Sequence, residues 1–297
     1  MDKLKSMMFD FASQSRLRWA NDQCPLPGSS IPSLHHTRWY AESQTDQPPP
    51  NWQIDGFTST VFQARWFSWY RMFTIEQPQL PPSRSLITIV EWLPRYEPNC
   101  LADWITFGRH DTSAYANLHP DYLKDWREHA LRHLKKFKRA NCELRLGTRE
   151  EVIKLYATSQ VPKHLQVALL RLLDKHLKIH PGSIDILIAE KHGQPIACHV
   201  VGNCDEAKLS EYIIGAFDPE YKHDQPMVGL IDWWYQRSLG RGYSWVTFGY
   251  MEPWGWGLPK SGNGYSLFKT HFGVQRMWFP QNRWKIIFNH KGLFTRP

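Results

Sequence analysis

The chain has 297 residues, 42% of them hydrophobic, which supports a packed core in one large or two modest domains and argues against a disordered chain. Its net charge of +8 favours anionic partners: nucleic acid, CoA phosphates, nucleotide-linked precursors or acidic membranes. Five scattered cysteines without a CxxC pair make a poor disulfide framework, and with no long apolar run or signal-peptide core they point to a reducing, cytoplasmic setting.

Residues 1–33 read as loop, punctuated by CPLPGSSIPS, and a short ordered stretch follows at Leu34–Tyr40 before the polar ESQTDQPPP. Residues 34–117 read as a β-rich N-terminal subdomain. FTSTVFQARWFSWYRMFTI carries β-formers in two runs, as a hairpin would, SLITIVEWL (Ser85–Leu93) reads as a strand, and ADWITFG (Ala102–Gly108) as a weaker one.

From residue 118 to 297 the pattern becomes mixed α/β. Leu123, Trp126, Ala130, Leu134 and Phe137 recur at helical spacing over 120–139, with Lys and Arg on the other faces. That basic face is either a solvated surface or an anion-binding one. CELRLG (Cys142–Gly147) predicts a strand, and Thr148 with Glu151 has the form of a capping box opening a second helix. A third helix is predicted over Pro162–Ile179, with Leu165, Ala168, Leu169, Leu172 and Leu173 on one side and His176 on the same stripe as a packed core histidine. A hairpin follows, Ile184–Glu190 and Pro195–Val201 about Lys191–Gln194. Then come a strand at Lys208–Asp218, a loop, a helix from Leu230 ended by Gly240 and Gly242, a strand at Ser244–Tyr250, the long loop EPWGWGLPKSGNG, a short helix in YSLFKTHFG, and a closing hairpin in RMWFPQNRWKIIFN.

This order of elements resembles the GNAT fold, a mixed sheet flanked by helices. The ending Phe268-Lys269-Thr270-His271-Phe272-Gly273 resembles the FKxxFG signature of the FemAB-like branch, the Fem-type aminoacyltransferases of peptidoglycan cross-bridges. The basic helix WREHALRHLKKFKRA resembles the one that precedes the second GNAT unit in that branch. The resemblance implies acyl or aminoacyl transfer to an amine, with a cell-wall precursor as the acceptor in that branch. It implies no tightly bound cofactor, a donor co-substrate that is aminoacyl-tRNA or acyl-CoA, and a first subdomain that is a degenerate second GNAT unit. An acyl-CoA-dependent N-acetyltransferase and a catalytically inactive GNAT-like binding protein are the alternatives. The stretch His223–Gly229 departs from the usual glycine-rich acyl-CoA loop, keeping one glycine, and Pro226 removes an N–H from any phosphate cradle there. The Trp254–Trp256 loop has no evident counterpart in the branch.

In such a fold the strand at 208–218 splays from the one at 244–250. The oxyanion contact is expected near Ile213, Ile214 and Gly215, with Gly215 either a close-approach position or a β-bulge. Gly229 and Leu230 are the expected donor contacts at the helix start. Glu211 is a candidate base or a salt-bridge partner. Tyr250 and Tyr265 are candidate leaving-group acids or packing residues. The resemblance puts Lys269 at the reaction centre or the donor's phosphates, beside Phe268, where the other option is a surface lysine. No metal site is expected: the histidines lack HExxH or Cys/His spacing, and GxSxG and Walker motifs are absent.

Overall fold

A computed structural model of the chain describes residues 56–74, 79–80, 85–94, 103–106, 112–250, 266–278, 280 and 282–289. Described residues up to Thr112, together with those from Arg276 on, form one compact unit, and Ser113–Gln275 form the other.

In the first unit, β1 (Gly56–Gln63), β2 (Phe67–Thr74), β3 (Ile87–Trp92) and β4 (Ile105–Thr106) join β12 (Arg283–Phe288) in a five-stranded sheet ordered β1-β2-β3-β12-β4. β1 and β2 pair antiparallel, as the two β-rich runs predict, while β2 and β3 run parallel. Met72, Val90, Trp92 and Trp104 make its buried cluster, with Trp92 and Trp104 edge to face at 5.5 Å. Glu91 is buried but ion-paired to Arg71 at 2.7 Å, so its charge is compensated.

The second unit is a mixed sheet with helices on both faces. Its elements are β5 (Thr112–Asn117), α1 (Glu128–Arg139), β6 (Glu143–Leu146), α2 (Arg149–Thr158), α3 (Lys163–Ile179), β7 (Ile184–Lys191), β8 (Gln194–Cys204), β9 (Leu209–Phe217), α4 (Pro226–Gly240), β10 (Trp245–Tyr250) and β11 (Gln275–Trp278). The sheet order is β11-β5-β10-β9-β8-β7-β6. The closing hairpin read from the sequence does not form, because β11 and β12 lie in different sheets.

Local chemistry explains the boundaries. The β7–β8 turn places His192 and Gly193 at φ 54° and 73°, the left-handed pair that a two-residue hairpin needs. The capping box forms: the Glu151 N–H donates to Thr148 Oγ1, and the Thr148 N–H donates to Glu151 Oε2 at 2.8 Å. The predicted helix over 120–139 is split. Tyr122–Asp125 is a 3-10 turn and α1 starts at Glu128, because the Arg127 N–H donates to His271 O and Trp126 bridges Phe272. α4 begins at Pro226 rather than Leu230; proline suits a first helical position, where its missing N–H is no loss.

One sheet face packs on α1 and α4 through Leu187, Ala189, Val201, Val246 and Phe248. The other packs on α2 and α3 through Ile186, Ile188, Val200 and Ile214. The inward face of α3 keeps Leu169, Leu173 and His176 of the predicted stripe but is rotated away from Leu165 and Leu172. Leu173 and His176 are buried, whereas Leu165 and Leu172 are exposed, since the sheet takes up the Leu169, Leu170, Leu173 and Leu177 side. No described helix is long and apolar enough to cross a membrane.

Candidate active site in the fork between β9 and β10

β9 and β10 run parallel and pair only at Leu209–Trp245, Ser210–Val246 and Glu211–Thr247. Both strands continue, to Phe217 and Tyr250, but apart. Two irregularities accompany the divergence. Against β8, β9 carries an extra residue, Ile213, between the pairs Tyr212–Val201 and Ile214–Val200. Against β5, β10 sets Phe248 and Gly249 between the pairs Thr247–Tyr115 and Tyr250–Ser113, with Gly249 at φ 66°. Beyond the fork, the β9 edge that faced β10 has lost its ladder, so backbone groups there are available to a ligand.

The fork opens onto a cavity of about 390 Å³. Tyr212, Gly215 and Ala216 of β9 and Phe248 of β10 line its two sides, Met227, Val228 and Ile231 of α4 cover it, and Phe268 closes one end. His199 of β8 also lines it, stacked on Tyr212 at 4.8 Å with Trp234 at 4.9 Å. The exposed Lys222 and the half-buried Gln225 stand beside the first residues of α4. Gly215 has a packing reason: a Cβ there would stand 3.1 Å from Met227 Cε, Tyr212 Oη and the Cys198 carbonyl.

The Phe268–Gly273 motif is tied to the same place. Phe272 is buried against Trp126, Phe248 and Phe268, and its carbonyl accepts from Tyr235 Oη at 2.9 Å. Gly273 sits at φ 69°, where a Cβ would stand 2.8 Å from Asp125 Cβ. Between them Lys269 is 1% exposed and donates from Nζ to the Phe248 carbonyl at 2.7 Å, which fastens the motif to the strand that walls the cavity. Burial pushes its ammonium down to about 7. It is therefore no surface lysine.

The other residues singled out in the sequence are distributed unevenly. Glu211 is at the apex of the fork, on the last paired position, with its side chain on the sheet face opposite Tyr212 and partly buried; burial pushes its carboxyl up to about 8. Gly215 and Phe268 line the cavity. Ile213 and Ile214 instead belong to the apolar cluster on the α2–α3 side, so only their backbone faces the fork region. Gly229 and Leu230 are not in the lining: a Cβ on Gly229 would meet the Phe137 ring at 2.2 Å, so glycine there lets α1 and α4 approach, and Leu230 is core. Tyr250 pairs through its backbone with Ser113, and Tyr265 and the Trp254–Trp256 loop lie outside the described residues. Sequence reading passed over His199 and Lys222, because neither belongs to a motif. Among the described residues, no three His, Cys, Asp or Glu side chains gather as a metal site would require.

No family model and no curated protein matches this chain. Solved structures do. FemX superposes with a TM-score of 0.60 at 7% identity, covering 89% of this chain and 94% of FemX. A conserved protein of unknown function from Bacteroides thetaiotaomicron VPI-5482 gives a TM-score of 0.51 at 8% identity, covering 80% of this chain and 84% of its own. The fold is FemX-like, of the GNAT type. At such low identity the likeness extends to the fold alone, and the chemistry has to be argued from the side chains present.

Proposed function

We propose that this chain is an acyl or aminoacyl transferase that holds its donor in the fork between β9 and β10 and passes the acyl group to an amine. The observation that carries this reading is the parting of two parallel strands after three residue pairs, onto an apolar cavity braced by the buried Lys269. In the reaction the amine nitrogen bonds to the acyl carbon, the bond from that carbon to the donor's oxygen or sulfur breaks, and the amine proton leaves. Backbone N–H groups on the freed edge of β9, near Gly215, supply donors for the tetrahedral oxyanion. Glu211, with its raised pKa, takes the proton of an amine that reaches the apex of the fork from the sheet face opposite Tyr212, and Lys269 adds positive charge behind Phe248. Tyr250 and Tyr265 are the proposed sources of the proton that the leaving oxygen or sulfur takes up. The N-terminal unit, by the same reading, is a degenerate second copy of the fold.

The acceptor is proposed to be an amine on a cell-wall precursor or a similarly anionic molecule, in keeping with the Fem-type motif at Phe268–Gly273. The donor is aminoacyl-tRNA or acyl-CoA. The cationic face of α1, which packs against the same α4 that covers the cavity, suits either. A screen of radiolabelled acyl-CoAs and charged tRNAs against amine acceptors tests the reading. Transfer with one donor class, lost in Lys269→Met, supports it. No transfer from any donor, with no donor protecting the protein against heat, would leave the chain as a binding protein of the same fold.

A further inference from the structure

The outer side of α3 carries a pattern that neither the core nor the cavity uses. Leu165, Leu172 and Ile179 recur at seven-residue intervals, and His164, Arg171 and Lys178 recur at the same interval, one position before each of them. An α-helix brings residues seven apart to nearly one angle, two turns on, so α3 presents two parallel rows about 21 Å long, one apolar and one cationic. Solvent reaches both. Leu165 is 46% and Leu172 38% exposed, Ile179 is half-buried, and the three basic residues are exposed. Ala168 and Lys175 fill the intervening positions of the apolar row. This is the a and d register of a coiled-coil seam, with a basic g row beside it. The core does not need these residues, since α3 holds the sheet with Leu169, Leu170, Leu173 and Leu177, and none of them lines the fork. Single exposed leucines are ordinary on a protein surface, but two rows in register along a whole helix ask for a partner.

We propose that this face of α3 is a docking seam for an acidic amphipathic helix of a partner protein, with leucine or isoleucine at its own a and d positions and glutamate or aspartate in the row alongside. Charge complementarity selects that occupant. Asp174 is the one acid on α3, and Arg149 takes it at 2.5 Å, so the basic row meets no spare negative charge along its own helix. A second copy of this chain, laid antiparallel across a two-fold axis, would bring two basic rows together, and like charges at such positions oppose pairing. An interfacial helix on lipid sinks a broad apolar face with its charge opposite. Here the apolar row is narrow, Lys175 stands within it, and its other flank, Leu169 and His176, is turned to the core. Ala168 lets a partner's backbone come close, and a lysine at the seam position of Lys175 favours an acidic partner and fixes register at some cost in affinity. Three apolar layers make a small contact, which fits a reversible interaction rather than a permanent one.

Fluorescence anisotropy of a labelled synthetic helix of three heptads, titrated with the full-length chain, tests the seam. The acidic probe has leucine at a and d and glutamate at e and g, whose mutual repulsion keeps it monomeric, and the control has lysine at e and g. The acidic probe is expected to bind about tenfold or more tightly than the basic one at low salt, the scale of a few surface ion pairs, and the difference should shrink towards about 0.5 M salt. Arg171→Glu combined with Lys178→Glu should reverse the order of the two probes. Leu172→Glu should weaken the acidic probe by about tenfold or more, while Val167→Gln, at a position 51% exposed but outside both rows, should leave it unchanged. Equal affinity for the two probes, or acidic-probe binding that ignores Leu172→Glu, overturns the inference. A dimer in sedimentation that Leu172→Glu dissolves also overturns it and gives the seam to a second copy. Binding to phosphatidylglycerol vesicles that Leu172→Glu abolishes, with neither probe bound, gives it to lipid instead. Should Leu172→Glu fail to fold, the charge-reversed protein decides: an inverted order of the probes supports the assignment, and an unchanged order counts against it. The seam residues are absent from the cavity lining, so each outcome leaves the reading of the fork as it stands.

Discussion

Lys269 has almost no solvent contact, and its Nζ donates to the Phe248 carbonyl at 2.7 Å. Burying a lysine this deeply beside the cavity wall is costly, which marks it as a candidate for a role at the reaction centre. Lys269→Met, similar in length and uncharged, should lower kcat by about 100-fold, the scale of removing one electrostatic contact from a transition state. Its effect on stability has a definite sign. The folded pKa is about 7 against 10.5 for a free lysine, so as pH falls from 10.5 to 7 the unfolded chain takes up a proton that the native one resists. Native stability is therefore lost as pH falls, and the methionine variant should gain about 1–2 kcal/mol over wild type at pH 6 but little at pH 10, read from urea midpoints. Glu211 works in the other direction. Its folded pKa of about 8 lies above the usual 4.5, so it favours the fold below 4.5 and that contribution is lost as pH rises through 8. Glu211→Gln should flatten this loss, and in the kcat/KM profile, where a base near 8 and an acid near 7 give a rise below pH 7 and a fall above pH 8, it should abolish the rise and leave a single fall as Lys269 deprotonates near 7. A rising limb that survives in Glu211→Gln assigns the base elsewhere.

At the scale of elements, the places where sequence reading succeeded and failed have physical reasons. The β7–β8 hairpin, the Thr148 capping box and the strand at 209–217 were legible because turn chemistry and alternation are local. β5 was not: Thr112–Asn117 reads TSAYAN, with alanine, serine and asparagine that are poor in strands, and it is a strand because β10 pairs with it. The start of α4 was missed because Pro226 and Gly229 look like breakers, whereas one suits a first turn and the other admits Phe137. Lys269 and Phe268 were found through a motif. His199 sits in an ordinary-looking strand, and only the pairing that turns it toward the fork makes it notable. Gly229 tests this view of α4. Alanine should favour an isolated helix by about 1 kcal/mol, yet here it must displace a buried ring 2.2 Å away, so Gly229→Ala should destabilise by about 1–3 kcal/mol in thermal unfolding. α3 gives the reverse case. Leu165 and Leu172 are 46% and 38% exposed, so Leu165→Glu and Leu172→Glu should each change stability by no more than about 0.5 kcal/mol, although their spacing reads as core.

The whole molecule carries +8, and in the Ser113–Gln275 unit a dense part of that charge lies on α1. Lys135, Lys136, Lys138 and Arg139 are exposed within five residues, and the acid at the far end of the helix, Glu128, approaches Arg132 only at 3.9 Å. Such pairing at the surface is worth little and leaves the field of the helix face intact. α1 packs on α4 and on the 3-10 turn Pro219–Asp224 that carries Lys222, so this field extends toward the mouth of the cavity rather than to a remote surface. A field of this kind acts on encounter, not on the bond-making step, and at 0.15 M salt it reaches about 8 Å. Replacing Lys135, Lys136, Lys138 and Arg139 with glutamine should therefore raise KM for an anionic donor by about tenfold at low salt and leave kcat unchanged. The gap should close as salt approaches 0.5 M. A polynucleotide donor, touching several of these cations at once, should lose affinity steeply with salt in the wild type, and the slope of log K against log salt should fall by about 0.9 for each phosphate contact removed with its cation, or about 0.7 along a single strand. A donor held through Lys222 alone should show a shallow slope in both proteins. The same titration thus separates a tRNA from a small phosphate-ended thioester, and a KM that ignores both the substitutions and the salt would assign the charge on α1 no part in recognition.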